Sequence, residues 1–300
     1  MRTDHLITPE EKLSRIQRIQ ENRLIRSAQI IHKNNPDTTT IGPKFNFLTD
    51  IDRDLLSHID MVYLSAVRSV PCVSSVISLE PSFNKTFSLA DVIEIDQASS
   101  IRLIHFLRLI PEFECLNVKD RFVLVKYNIL QLCVLRDLLV FDRNKGIFYD
   151  DNANTAKSSD DERFAQACNS LYVLFYGYHE IQVYKSNITL IMDTLDTDAL
   201  CIKILMLVLI FLKGISFNDE QLWTLCDPQS VFKAHLKYVD LLFRYLIDRY
   251  TFDVAVIKMM RITENIFRIQ KNTQHFKEII RTKAHYNEIH PLYKSLVGLS

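Results

Sequence analysis

The sequence predicts an all-α fold with one small β-hairpin, and three observations carry that reading. Apolar residues recur at helical spacing, as in Ile51, Leu55, Ile59, Val62 and Ala66, and again in Val254, Ile257, Met260 and Phe267. Only residues 139–149 read as a hairpin, with Asn144, Lys145 and Gly146 as turn residues between apolar flanks. No repeat of fixed period stands out, which disfavours a stacked solenoid.

The elements follow in order. Thr8 suits an N-cap, Pro9 a first helical position, and Glu11 completes a capping box, so a helix is expected over 9–32. Arg15, Arg18, Arg23 and Arg26 make it basic, and residues 1–33 read as a hinge helix. Asn34, Asn35, Pro36 and Asp37 open a linker over 34–43, and the main domain is expected over 44–300. Residues 71–87, rich in Ser, Pro and β-branched types, read as a surface loop before a helix starting near Ser88 or Asp91. Pro111 ends that helix, Phe113 and Leu116 plug the corner, and Asn117 with Asp120 cap the next helix. The polar stretch 150–161 reads as a mobile loop. The apolar run 204–212, bracketed by Lys203 and Lys213, is about half the roughly twenty residues of a membrane span, and so reads as a core helix. A long helix over 254–281 and a short one over 291–297 complete the chain.

Composition excludes several functions. Thirty-six basic and 36 acidic residues cancel, so no global field draws nucleic acid or an anionic membrane. The six cysteines form no CxxC pair, and without a secretory leader they are expected to be reduced. Five glycines offer no phosphate-loop spacing, and His179-Glu180 lacks the second His of a zinc protease helix. Neither catalysis nor a cofactor or metal is expected.

Residues 106–126 carry a denser pattern: Phe106, then Pro111, Phe113 and Leu116, then Asp120-Arg121 and Leu124-Val125-Lys126, without a gap. This run resembles the ligand-binding signature of nuclear receptors, and the likeness extends over nearly everything after Lys44. It implies a three-layer helical sandwich of about 11–12 helices. The function implied is that of a ligand-regulated transcription factor, in the nucleus or else the cytoplasm. Implied partners are a small lipophilic ligand, coactivator or corepressor helical peptides, and a second copy or a retinoid X receptor-like partner. Met1 to Asp4 with Thr8 to Lys12 look like the extension that follows the family's second zinc module. DNA would then be contacted through a zinc domain that these residues do not include; the basic hinge alone would bind weakly.

The resemblance also assigns sites. Arg108 matches the basic clamp of the coregulator groove, with Lys126 along the same groove. The last helix, through Leu292, Tyr293, Ser295 and Leu296, matches the activation helix. Ser295 stands where the family has an acid, removing the charge that would meet the N-terminus of a bound helix and implying weak activation or a bias to corepressors. Ser99 and Arg136 match polar ligand anchors of steroid-like and secosteroid receptors such as the vitamin D receptor. Asp96, one turn from Ser99, offers Arg136 an internal partner instead. Val92, Ile95, Cys133, Phe148 and His275 are further pocket candidates. Ile257, Met260, Arg261, Glu264 and Arg268 present a family-like dimer face. The 18 Phe and 12 Tyr sustain an alternative: a ligand-independent dimerisation or corepressor-binding module with a filled pocket.

Overall fold

Thr49 starts the first helix with a reciprocal capping box: its Oγ1 accepts from Asp52 N at 3.1 Å, and Asp52 Oδ2 accepts from Thr49 N at 2.9 Å. The structure, a computed structural model, describes residues 47–70, 89–150, 158–212, 224–283 and 291–297, all within the unit Asn46–Ser300. The expected helix over 9–32, the linker, and the loop at 71–87 lie outside the described residues.

Among the described residues the order is α1 (Asp50–Arg68), α2 (Leu89–Arg108), α3 (Pro111–Glu114), α4 (Val118–Val140), β1 (Phe141–Asp142), β2 (Ile147–Phe148), α5 (Ser159–Tyr176), α6 (Tyr178–Thr194), α7 (Ala199–Ile210), α8 (Pro228–Arg249), α9 (Phe252–Lys283) and α10 (Pro291–Val297). The fold is all-α with one small antiparallel hairpin. Helices α4 and α7 pack together at the centre; α1 and α2 pack on each other and on this pair, as do α8 and α9, and Arg244 of α8 reaches Asp52 of α1 at 2.9 Å. No described helix is long and apolar enough to cross a membrane.

The expected core helix is α7. Every residue from Cys201 to Ile210 is buried, and each fully buried Leu or Ile removes from water a side chain worth roughly 1.5–3 kcal/mol. Its one charge is neutralised: Lys203, 6% exposed, reaches Asp60 Oδ1 at 2.5 Å and lies 4.8 Å from the Tyr63 ring centre, fastening α7 to α1.

The signature corner forms as its residues imply. Pro111 takes the first turn of α3, Phe113 and Leu116 are buried beneath it, and Phe113 meets Phe211 edge-on at 6.4 Å. Asn117 caps α4 by accepting from Lys119 N at 2.9 Å. Asp120, expected beside it as a cap, does something else. It is fully buried and accepts from Cys226 N at 2.6 Å and Asp227 N at 2.9 Å, tying the start of α8 to α4.

The hairpin falls where expected, pairing Phe141 with Phe148 and Asp142 with Ile147. Asp142 Oδ1 accepts from Asn144 N and Lys145 N, and Gly146 takes the positive φ of 64° that closes the turn. The stretch 150–161, expected as a loop, is helical at its end. Ser158 and Asp161 form a capping box, so α5 already runs from Ser159; residues 151–157 lie outside the described residues.

Candidate functional site

Helices α2, α4, α5, α6, α9 and α10, with Phe148 of the hairpin, line a partly open cavity of about 110 Å³. Helix α2 brings Asp96 and Ser99 to its wall one turn apart. Helix α4 brings Cys133, Arg136 and Asp137, which a 3.6-residue period keeps on one side.

Asp96 is the polar centre. Tyr172 Oη donates to its Oδ1 at 2.8 Å, and the hydroxyls of Tyr176 and Tyr293 each lie 3.4 Å from its Oδ2. Tyr172 and Tyr176 stand one helical turn apart on α5, their rings stacked at 5.9 Å. Desolvation is the main influence on Asp96 and outweighs the Tyr172 hydrogen bond; with nearby Asp137 also opposing the charge, the pKa is pushed up to about 7. Tyr293 and Arg136 pull the other way. Burial first, then the nearby carboxyls, holds the three phenols well above their ordinary range, so they stay protonated donors.

A second polar group sits beside it. Arg136 Nη1 donates to Asp137 Oδ1 at 3.1 Å, and Tyr184 Oη donates to Asp137 Oδ2 at 2.6 Å. The pairing of Arg136 with Asp96, the alternative to anchoring a ligand, is not made by a hydrogen bond: Arg136 meets its own chain neighbour, while phenols serve Asp96, on which Arg136 acts as a nearby charge. Burial also pushes the Cys133 thiol up to about 12, which disarms it as a nucleophile; its Sγ lies 3.5 Å from Ser100 Oγ. Phe276 forms an apolar wall, edge-on to Tyr176 at 5.1 Å and to Tyr184 at 4.9 Å. Taken together, the wall presents protonated donors, a carboxyl titrating near neutrality and aromatic faces.

Of the expected ligand residues, Asp96, Ser99, Cys133, Arg136 and Phe148 line the cavity. Val92 and Ile95 are buried in the hydrophobic core. His275 points elsewhere. Its side chain is 49% exposed with Nε2 at 2.7 Å from Glu180 Oε2, because the cavity face of α9 passes through Thr273, Phe276 and Ile280, one position out of phase. Among the groove residues, Arg108 is exposed at the end of α2, Lys126 is half-buried on α4, and Ser295 is half-buried on α10. Leu296 is buried, and the side chain of Leu292 lies outside the described residues. Tyr293, expected on the groove, is 2% exposed and faces the cavity.

Sequence reasoning missed Tyr172, Tyr176, Tyr184, Asp137 and Phe276. The i, i+4 tyrosine pair was a usable signal for a polar-tipped aromatic wall, whereas nothing local ties Tyr184 to Asp137, 47 positions away.

Among the described residues no cluster of three or more His, Cys, Asp or Glu could hold a metal ion. No protein-family model matches the chain, and no curated protein matches it significantly.

Proposed function

We propose that this chain is the ligand-binding domain of a nuclear receptor, a non-catalytic module that holds a small lipophilic guest with a polar head and recruits helical coregulator peptides. The observation that carries the reading is the junction of α10 with the cavity: Tyr293 of the last helix contributes both to the cavity wall and to the hydrogen bonds around Asp96. An occupant of that space and a partner on the outer surface would be coupled through one element. Outside, exposed Arg108 ends α2 beside exposed Leu109, and exposed Val118 and Phe122 begin α4, apolar ground next to a cation. That suits an amphipathic helix whose C-terminal carbonyls meet the guanidinium. The exposed Ile257, Met260 and Phe267 of α9 suit a second copy or a related partner. In the proposed setting the site of action is the nucleus, with DNA contacted through a zinc domain.

One observation favours the second reading, a ligand-independent module. A cavity of about 110 Å³ holds roughly four waters and is well below the roughly 300–1,000 Å³ of drug-sized ligand sites. Native mass spectrometry of the purified chain separates the two. A co-purifying lipid-sized mass that is lost in Arg136→Ala supports the sensing module, whereas an empty protein whose stability is unchanged by candidate ligands favours the filled one.

A further inference from the structure

The carboxyl of Asp96 lines the cavity, yet every hydrogen bond it accepts there comes from a phenol: Tyr172, Tyr176 and Tyr293. The cations on the same wall are Arg136, which donates to Asp137, and Lys277. Neither lies among the hydrogen bonds of Asp96. Of the two long contacts, both 3.4 Å, that of Tyr293 is the one that reaches the last helix.

We propose that Asp96 and Tyr293 form a latch that holds α10 over the cavity, and that the guest which opens it carries a protonated amine. The proposal rests on reading α10 as the helix that couples the cavity to the surface. It assigns both a ligand class and a direction of regulation: occupancy releases the last helix.

Three features select an amine. An aliphatic hydroxyl is a weaker donor than the phenol it would have to displace, so a neutral alcohol gains nothing at Asp96. An ammonium makes a charge-assisted hydrogen bond roughly twice as strong as a neutral one. As it enters, the carboxyl proton that burial retains passes to solvent, and the ammonium meets a carboxylate whose desolvation the fold has already imposed, where the low dielectric strengthens the attraction. Finally, the rings of Tyr172 and Tyr176 at the carboxyl, with Phe276 on the same cavity wall, attract a cation and clothe its hydrocarbon part. Seating a group larger than a few waters then requires the Tyr293 side chain to leave, carrying α10 with it.

Hydrogen exchange of the α10 amides in the full 300-residue chain at neutral pH, with cyclohexylamine against cyclohexanol, tests this. Cyclohexylamine should speed α10 exchange about fivefold, the equivalent of one hydrogen bond of about 1 kcal/mol, and cyclohexanol should leave it unchanged. Asp96→Asn should abolish the amine effect. Tyr293→Phe should exchange as fast without amine as wild type does with it, which keeps the proposal testable if Asp96→Asn does not fold. An amine that leaves α10 protected, an equal effect from the alcohol, or unchanged exchange in Tyr293→Phe overturns the proposal. Because the readout is the helix itself, failure here is distinct from failure of the coregulator reading, which is measured by peptide binding.

Discussion

Tyr293 Oη lies 3.4 Å from Asp96 Oδ2, a contact spanning 197 positions of chain that joins the last helix to the second across the cavity. Both residues also line the cavity, so the pair ties the seating of α10 to the cavity wall.

Tyr293→Phe removes that hydroxyl and nothing else. Asp96 keeps Tyr172 and Tyr176, so the loss is one long hydrogen bond, about 1 kcal/mol, and the melting temperature should fall by about 2–4 °C. Calorimetry of the two proteins checks this; an unchanged transition would show that the contact is not made in solution.

The carboxyl of Asp96 gives stability an unusual pH dependence. Its folded pKa, about 7, lies above the ordinary 3.8, so between those values the folded state holds a proton that the unfolded chain has released. Its contribution is greatest below about pH 4 and declines as pH rises to about 7, by about 4 kcal/mol over that range. Asp52, Glu112 and Asp196, whose pKa values are lowered, act in the opposite sense and lose stability as pH falls. The clean measurement is therefore the difference between wild type and Asp96→Asn in urea unfolding across this window. Wild type should lose ground to the variant as pH rises; a constant difference would sink the assignment.

Asp120→Ala strands two backbone amides, Cys226 N and Asp227 N, at the start of α8. At about 1–3 kcal/mol for each donor left without a partner, and with water able to reach exposed Cys226 and Asp227, a cost of about 2–4 kcal/mol is expected in the urea-unfolding free energy. Asp120→Asn, which keeps one acceptor, should recover part of it.

The same residue marks the limit of what the sequence reveals. Helical spacing was enough to find α7, the long α9 and the α3 corner, because those patterns are local and repeat along one face. The Asn-Lys-Gly turn was legible for the same reason. Asp120 was not: as a lone acid near a helix start it reads as a cap, and its real partners lie 106 and 107 positions away. The cavity divides in the same manner. Asp96, Ser99, Cys133, Arg136 and Phe148 could be placed on its wall, but Arg136 turned to its neighbour Asp137 because an adjacent carboxylate and Tyr184 Oη stabilise that arrangement. His275 was misplaced by a single position on a helix of 32 residues, enough to rotate it about 100° away from Phe276.

Ser295→Glu places a negative charge at half-buried Ser295 of α10, where in the proposed groove a bound helix would present its N-terminus. The dipole interaction of about 0.3–1 kcal/mol corresponds to about two- to fivefold tighter coactivator peptide binding, readable by fluorescence anisotropy. An unchanged affinity would mean that α10 does not serve as the second clamp.

The most direct measurement is the affinity of a fluorescently labelled Leu-rich amphipathic helical peptide for the chain, with wild type set against Arg108→Glu. Arg108 is exposed, so the substitution should leave stability unaltered while placing a like charge against the peptide's C-terminal carbonyls. Saturable binding to wild type is expected, with a loss of about tenfold or more in the variant, from a reversal worth about 1.4 kcal/mol or more. Absence of binding to wild type, or equal binding to both proteins, would contradict the coregulator reading.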